Sequence, residues 1–179
     1  MKNKRIMKWL LILVAMPIVA FVVMFLIGLL LPAKHSLTRA ITLKVKPETA
    51  FRAIADVESL PSWASGVLKV ERLPDRDGKE ATRQTLKGGM KMVVLTSEST
   101  PPTRLVRSMG DTSAPFFGSW AYDFSPAADG CRVVVRETGE VPNPFFRAMS
   151  RMFGLDKHVT QHLNDLARKF GEIGRVEII

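Results

Sequence analysis

The chain has 179 residues, 46% of them apolar, and 26 Lys and Arg stand against 17 Asp and Glu for a formal net charge of +9. That length suits one sizeable domain, and the apolar share excludes a largely disordered chain. The single cysteine, Cys131, excludes an intrachain disulfide and any cysteine-rich zinc module.

Residues 1–8 form a basic tail in which Lys2, Lys4, Arg5 and Lys8 meet no acid. Trp9 to Leu31 then runs 23 residues without a charge. As a helix this segment reaches roughly 35 Å, enough for a hydrocarbon core of about 30 Å with some tilt. Pro17 and Gly28 are compatible with it, because both residue types are common in spanning helices. A cleaved signal peptide is the alternative, but its apolar region runs about 7–15 residues and ends at small residues. Here the only weak cleavage candidate is Leu31-Pro32-Ala33. Residues 9–31 therefore read as an uncut single-pass membrane anchor. The basic tail places the N-terminus in the cytoplasm and everything after Leu31 outside it. Lys34, Arg39, Lys44 and Lys46 follow on the far side, but they belong to a folded domain, and long domains cross largely regardless of charge.

Residues 33–179 hold 22 basic and 17 acidic side chains, scattered and mixed in sign. This is a solvated surface, and it also suits contact with anionic lipid head groups. No motif supports nucleic-acid binding, and nothing points to a particular protein partner.

In the soluble part, His35 to Lys46 alternates, with Leu37, Ile41, Leu43 and Val45 on one face; the period predicts a strand. Pro47 and Glu48 suit the first turn of a short helix carrying Phe51, Ile54 and Ala55. A second short helix follows at Pro61 and Trp63 and ends near Gly66. Six strands are predicted next, at 67–73, 80–87, 90–98, 103–109, 116–125 and 131–141, broken by Gly, Pro and Asp turns such as Asp77-Gly78 and Gly88-Gly89. Such short connections favour antiparallel neighbours. Asn143 and Pro144 then open a helix whose apolar stripe is Phe145, Met149, Met152, Leu155, Val159, Leu163, Leu166 and Phe170. The mean step of about 3.6 residues predicts one long helix, despite Gly154 inside it. Residues 173–179 read as a frayed tail or short extension. The class is α+β: a curved seven-stranded antiparallel sheet whose one apolar face is buried by the terminal helix.

This order resembles the START-like helix-grip superfamily, the SRPBCC group of polyketide cyclases/dehydratases and lipid-transport proteins. The resemblance is carried by Lys46-Pro47-Glu48-Thr49-Ala50-Phe51 with Ile54-Ala55-Asp56, by Leu60-Pro61-Ser62-Trp63, by Gly118-Ser119-Trp120-Ala121-Tyr122-Asp123-Phe124, by Gly130-Cys131-Arg132-Val133-Val134-Val135 and by Asn143-Pro144-Phe145-Phe146-Arg147. It covers residues 36–172, which it marks as a ligand-binding domain, and the membrane helix is an addition to the family's simplest pattern. The resemblance implies a cavity between sheet and long helix that takes an apolar ligand. It implies no universal catalytic residue and no cofactor.

Trp120, Tyr122 and Phe124 share one face of the sixth strand, and with Met92, Met149, Met152 and Phe153 they would line such a cavity; ordinary core packing explains the same residues. In the seventh strand Glu137 shares a face with Cys131, Val133 and Val135. Turned inward, it sets a carboxylate at the cavity, where it could bind a polar ligand head or serve in acid/base steps. The plainer reading puts it at the sheet margin, paired with an Arg or reaching water. His158 and His162 stand at i and i+4 with Asp165 one turn on, but no fourth ligand joins them, so no metal site is assigned and the row reads as a solvated flank. No Gly-x-Ser-x-Gly elbow or phosphate-binding loop is present. Cys131 reads as an inert buried thiol. The expected function is handling of a membrane lipid or other hydrophobic molecule by an anchored domain, without catalysis. A cyclase- or dehydratase-type enzyme using the same pocket is the alternative, and a ligand-free scaffold for a membrane partner is a third reading.

Overall fold

The computed structural model describes residues 2–111, 116–154 and 157–179. In chain order its elements are α1 (Lys2–Leu30), β1 (Lys34–Leu43), α2 (Pro47–Ala55), a single 3-10 turn (Val57–Ser59), α3 (Leu60–Trp63), β2 (Val67–Arg76), β3 (Lys79–Leu86), β4 (Lys91–Thr100), β5 (Arg104–Met109), β6 (Phe117–Ala127), β7 (Gly130–Glu140), α4 (Pro144–Phe153), α5 (Lys157–Lys169) and β8 (Glu177–Ile178). The strands form one curved open sheet in the order β2-β3-β4-β5-β6-β7-β1-β8. The seven expected strands are all present. The eighth is a two-residue piece of the tail, which pairs with β1 through Arg39–Ile178 and Ala40–Glu177. The Arg132–Glu177 ion pair at 2.7 Å fastens it further.

The described residues fall into two compact units, drawn from 1–34 with 141–155 and from 35–140 with 156–179. The larger contains most of the sheet, α2, α3 and α5. Strand alternation sends Ile41, Leu43, Leu105, Val133 and Val135 to a common face, where Phe51 and Ile54 of α2 and Val159, Leu163 and Leu166 of α5 complete the core. Each of these ten is at most 7% exposed.

The smaller unit holds α1 and α4. The segment Leu13–Leu30 of α1 is long and apolar enough to cross a membrane. Asn143 caps α4, its Oδ1 accepting from the backbone N–H groups of Phe145 and Phe146 at 2.9 and 3.4 Å.

One long terminal helix was expected, and two helices are found. Gly154 takes the left-handed conformation (φ 63°, ψ 53°) and ends α4, its N–H bonded to the Ser150 carbonyl. A residue without a Cβ adopts that conformation at little cost, so the one glycine in the stripe breaks it. Of the stripe, Leu155 lies outside the described residues, Met152 is exposed, and Val159, Leu163 and Leu166 are buried by α5.

Candidate functional site

The pairing of β6 with β7 sets Trp120 opposite Glu137, Tyr122 opposite Val135 and Phe124 opposite Val133. The face these residues share is the buried one, and an acid stands at the end of an otherwise apolar row. Glu137 is 6% exposed. Trp120 Nε1 donates to Glu137 Oε2 at 2.8 Å. His158 Nε2, from the first turn of α5, lies 2.6 Å from the same oxygen. His35 Nε2, near the start of β1, lies 3.2 Å from Oε1. His35 reaches this position across Gly139, where a Cβ would stand 2.3 Å from the ring Cε1. Both histidines are about half exposed, so the group is buried at the carboxylate and open to water at the imidazoles.

Burial works to raise the Glu137 pKa. The hydrogen bond and charge of His158, with the bonds from Trp120 and His35, outweigh it and hold the carboxyl below its ordinary range. The site therefore presents an ionised carboxylate inside the sheet, and the partners are an indole and two imidazoles rather than an Arg or bulk water.

A second polar group lies deeper. Arg107 of β5 is 5% exposed and shares the inward parity of Leu105. Its NH2 donates to the Ala55 carbonyl at 3.0 Å. Burial lowers its pKa, against the charges of Tyr122 and Glu80. Burial also pushes Tyr122 up to about 12, opposed by Arg107 and reinforced by Glu137. His162 packs its ring 5.1 Å from that of Trp63 and 6.2 Å from that of Tyr122. Burial, with the charges of Arg107 and His158, pushes its pKa down to about 4. Three buried polar atoms here, Arg107 Nε, Trp63 Nε1 and His162 Nε2, have no hydrogen-bond partner among the described residues. Buried polar atoms are nearly always paired, so three in one neighbourhood mark a place suited to a polar group of a ligand.

The expected solvated flank of α5 is thus overturned. His158 points to Glu137, His162 points to Trp63 and Tyr122, and Asp165 is 1% exposed and accepts from the Ser65 N–H and Oγ at 2.7 Å each. Arg168 and Gln161 complete the Asp165 pairing. The three share no common point, and among the described residues no group of three metal-ligating side chains occurs.

Of the expected cavity residues, Trp120 and Glu137 touch, and Tyr122 sits one inward step along β6. Met92 is buried on β4 opposite Gln84. Phe124 packs edge-on against Phe51 at 5.4 Å, as a core residue does. Met149 and Met152 belong to α4 in the smaller unit, and Met152 is 65% exposed. The Phe153 side chain lies outside the described residues. Sequence reasoning missed Arg107 and His35, and also Thr82 and Gln84, which are buried on β3, and it assigned His158 and His162 to a solvated flank. The signal for Arg107 was available: it alternates with Leu105 and Met109 in a strand of inward apolar parity. Apart from this face, an open cavity of about 360 Å³ lies beside α2, lined by Glu48, Phe51, Arg52, Pro101 and Pro102.

A family model described as polyketide cyclase / dehydrase and lipid transport matches residues 34–171. None of the curated proteins matches the chain. Among solved structures, the di-domain ARO/CYC StfQ of the steffimycin biosynthetic pathway superposes with a TM-score of 0.61 at 10% identity, over 75% of this chain and 49% of that one. The di-domain ARO/CYC BexL of the BE-7585A pathway gives 0.61 at 12%, over 75% and 49%. The chain therefore spans about half the length of these two proteins. A conserved protein from Geobacillus kaustophilus gives 0.60 at 16%, over 80% of this chain and 99% of that one. At these identities the likeness is one of fold.

Proposed function

The chain belongs to the polyketide cyclase/dehydrase and lipid transport family, and from that premise we propose that it binds or handles a hydrophobic small molecule or lipid at a membrane, on the inward face of its sheet. The observation that carries this reading is the set of polar groups on that face. Arg107 Nε, Trp63 Nε1 and His162 Nε2, set among buried apolar neighbours, lack hydrogen-bond partners among the described residues. Such a surface suits a ligand with an apolar body and a polar head. Met92 and Tyr122 would meet the body, and Arg107 or the Glu137 group the head.

The apolar segment of α1 supports anchoring, and the basic residues before it support a cytoplasmic N-terminus. An anchored domain would meet its ligand in the bilayer. Native mass spectrometry of the full chain, extracted from its host's membranes, tests the binding: a bound apolar mass supports it and its absence opposes it. Reporter fusions after residue 179 test the orientation, which requires activity outside the cytoplasm only.

A second reading, an enzyme of cyclase or dehydratase type, is favoured by one observation. Glu137 and His158 lie 2.6 Å apart. The pair sets an imidazole directly on an ionised carboxylate, an arrangement that can pass a proton to or from a bound ligand. On this reading His158→Asn abolishes turnover and spares binding; on the binding reading it alters which ligand is retained.

A further inference from the structure

We propose that α4 is a second membrane-contacting element, an interfacial helix that lies against α1 and puts Phe146 and Met152 into the acyl region of the outer leaflet. The proposal rests on the reading of α1 as a membrane anchor. Its own support comes from the packing of the smaller unit.

α4 is bound to the C-terminal part of α1. The Phe145 ring stacks on that of Phe21 with centroids 5.0 Å apart. Arg147 NH1 donates to the carbonyls of Gly28 and Leu31 at 3.1 and 2.8 Å, and NH2 to that of Pro142 at 2.7 Å. The Gly28 and Leu31 carbonyls belong to the last turn of α1 and the residue after it, where a helix leaves acceptors unpaired and gathers negative partial charge. Arg147 satisfies them, and Val141 N–H adds a bond to the Ala33 carbonyl at 2.8 Å. The terminal nitrogens of Arg147 are thereby turned into the unit, toward the negative end of α1.

Depth follows from the position of Phe21. It lies two helical turns, roughly 10 Å, before Gly28. It falls within the apolar segment Leu13–Leu30. Whatever packs beside Phe21 shares the depth at which α1 meets lipid. On a helical projection Phe145, Met149, Met152 and Phe146 fall on one broad arc, and Arg147, Ser150 and Arg151 on the other. α1 covers Phe145 but leaves Phe146 42% and Met152 65% exposed. Large apolar side chains exposed next to an exposed apolar helix make one continuous surface, and lipid is the solvent that suits both parts. Arg151, exposed on the opposite arc, is placed for anionic head groups.

Spin labels read this directly. The chain has one native cysteine, so Cys131→Ala gives a background for single labels at Leu26→Cys, Phe146→Cys, Met152→Cys and Arg151→Cys. The full chain is placed in nanodiscs of phosphatidylethanolamine and phosphatidylglycerol. Collisional relaxation by oxygen, which concentrates in lipid, is compared with relaxation by a water-soluble nickel chelate. The expected result is an oxygen-favoured ratio at Phe146 and Met152, shifted toward the value at Leu26, with a nickel-favoured ratio at Arg151. Nickel-favoured ratios at Phe146 and Met152, with Leu26 still in lipid, overturn the inference and leave the anchor intact. Low access to both reagents places that face against protein and overturns it too. A water-exposed Leu26 overturns the anchor, and this inference with it. Met152 is largely exposed, so its label enters no packed core and reports even where a label at Phe146 disturbs folding.

Discussion

Trp120 and Glu137 face each other directly in the β6–β7 ladder, and the indole N–H donates to the carboxylate at 2.8 Å across that register. The pairing ties an acid on the inner face to the strand beside it. Two imidazoles, from opposite ends of the domain sequence, close on the same carboxylate. A charged group thus sits in the core of a sheet that otherwise buries Val133, Val135 and Leu105.

Trp120→Phe removes only the donor from this pair. Hydrogen bonds to charged groups contribute about 1.5–3 kcal/mol, so the variant loses stability of that order. Urea unfolding of the full chain in detergent checks it. An unchanged midpoint would mean that Glu137 draws nothing from the indole.

Gly139→Ala tests the approach of His35. The new Cβ would stand 2.3 Å from His35 Cε1, so the ring must leave Glu137. A loss of about 1 kcal/mol is expected, and it should largely vanish in a His35→Ala background. Full additivity in that double-mutant cycle would contradict the contact.

Acid should destabilise the fold in two stages. The His162 pKa is depressed from 6.5 to about 4 by burial first and then by the charges of Arg107 and His158. The unfolded chain therefore takes up a proton that the folded chain refuses. Stability is full above pH 6.5 and falls toward pH 4, by about 2 kcal/mol at pH 5. Glu137, held below its ordinary value of 4.5, adds a further loss below that pH. Denaturant melts from pH 7.5 down to about pH 3 should show both stages, and His162→Leu should flatten the first only.

Leu163 is fully buried at the centre of the α5 stripe. Leu163→Ala should cost about 2–5 kcal/mol, whereas exposed Lys157→Ala should stay within about 0.5 kcal/mol. Equal costs in urea melts would mean that α5 does not seat on the sheet as described.

Strand parity, turn residues and the Val159–Leu163–Leu166 spacing made the sheet and its covering helix legible in advance, because each reports a local period that burial then fixes. The break at Gly154 was not legible. A glycine inside a stripe is compatible with a helix until its backbone goes left-handed. The histidine row was misread for a different reason. It sits about 100° from the apolar stripe, which on a surface helix means solvent. α5 instead lies between the sheet and the Trp63–Ser65 segment, so it buries Asp165 and Ala167 as well as the stripe. Glu137 was found from alternation alone, but its histidine partners come from 102 residues earlier and from α5, beyond any local period.

The central claim is that the polar groups of the inner face read a bound hydrophobic molecule. Native mass spectrometry of the full chain from its host's membranes, comparing the unaltered protein with Glu137→Gln and with exposed Arg83→Gln as control, tests it most directly. The account predicts a bound apolar species on the unaltered chain and the control, and a reduced or different species on Glu137→Gln with an unchanged circular dichroism spectrum. The same species in the same amount on all three would remove Glu137 from the site, and no bound species on any of them would contradict the claim as a whole.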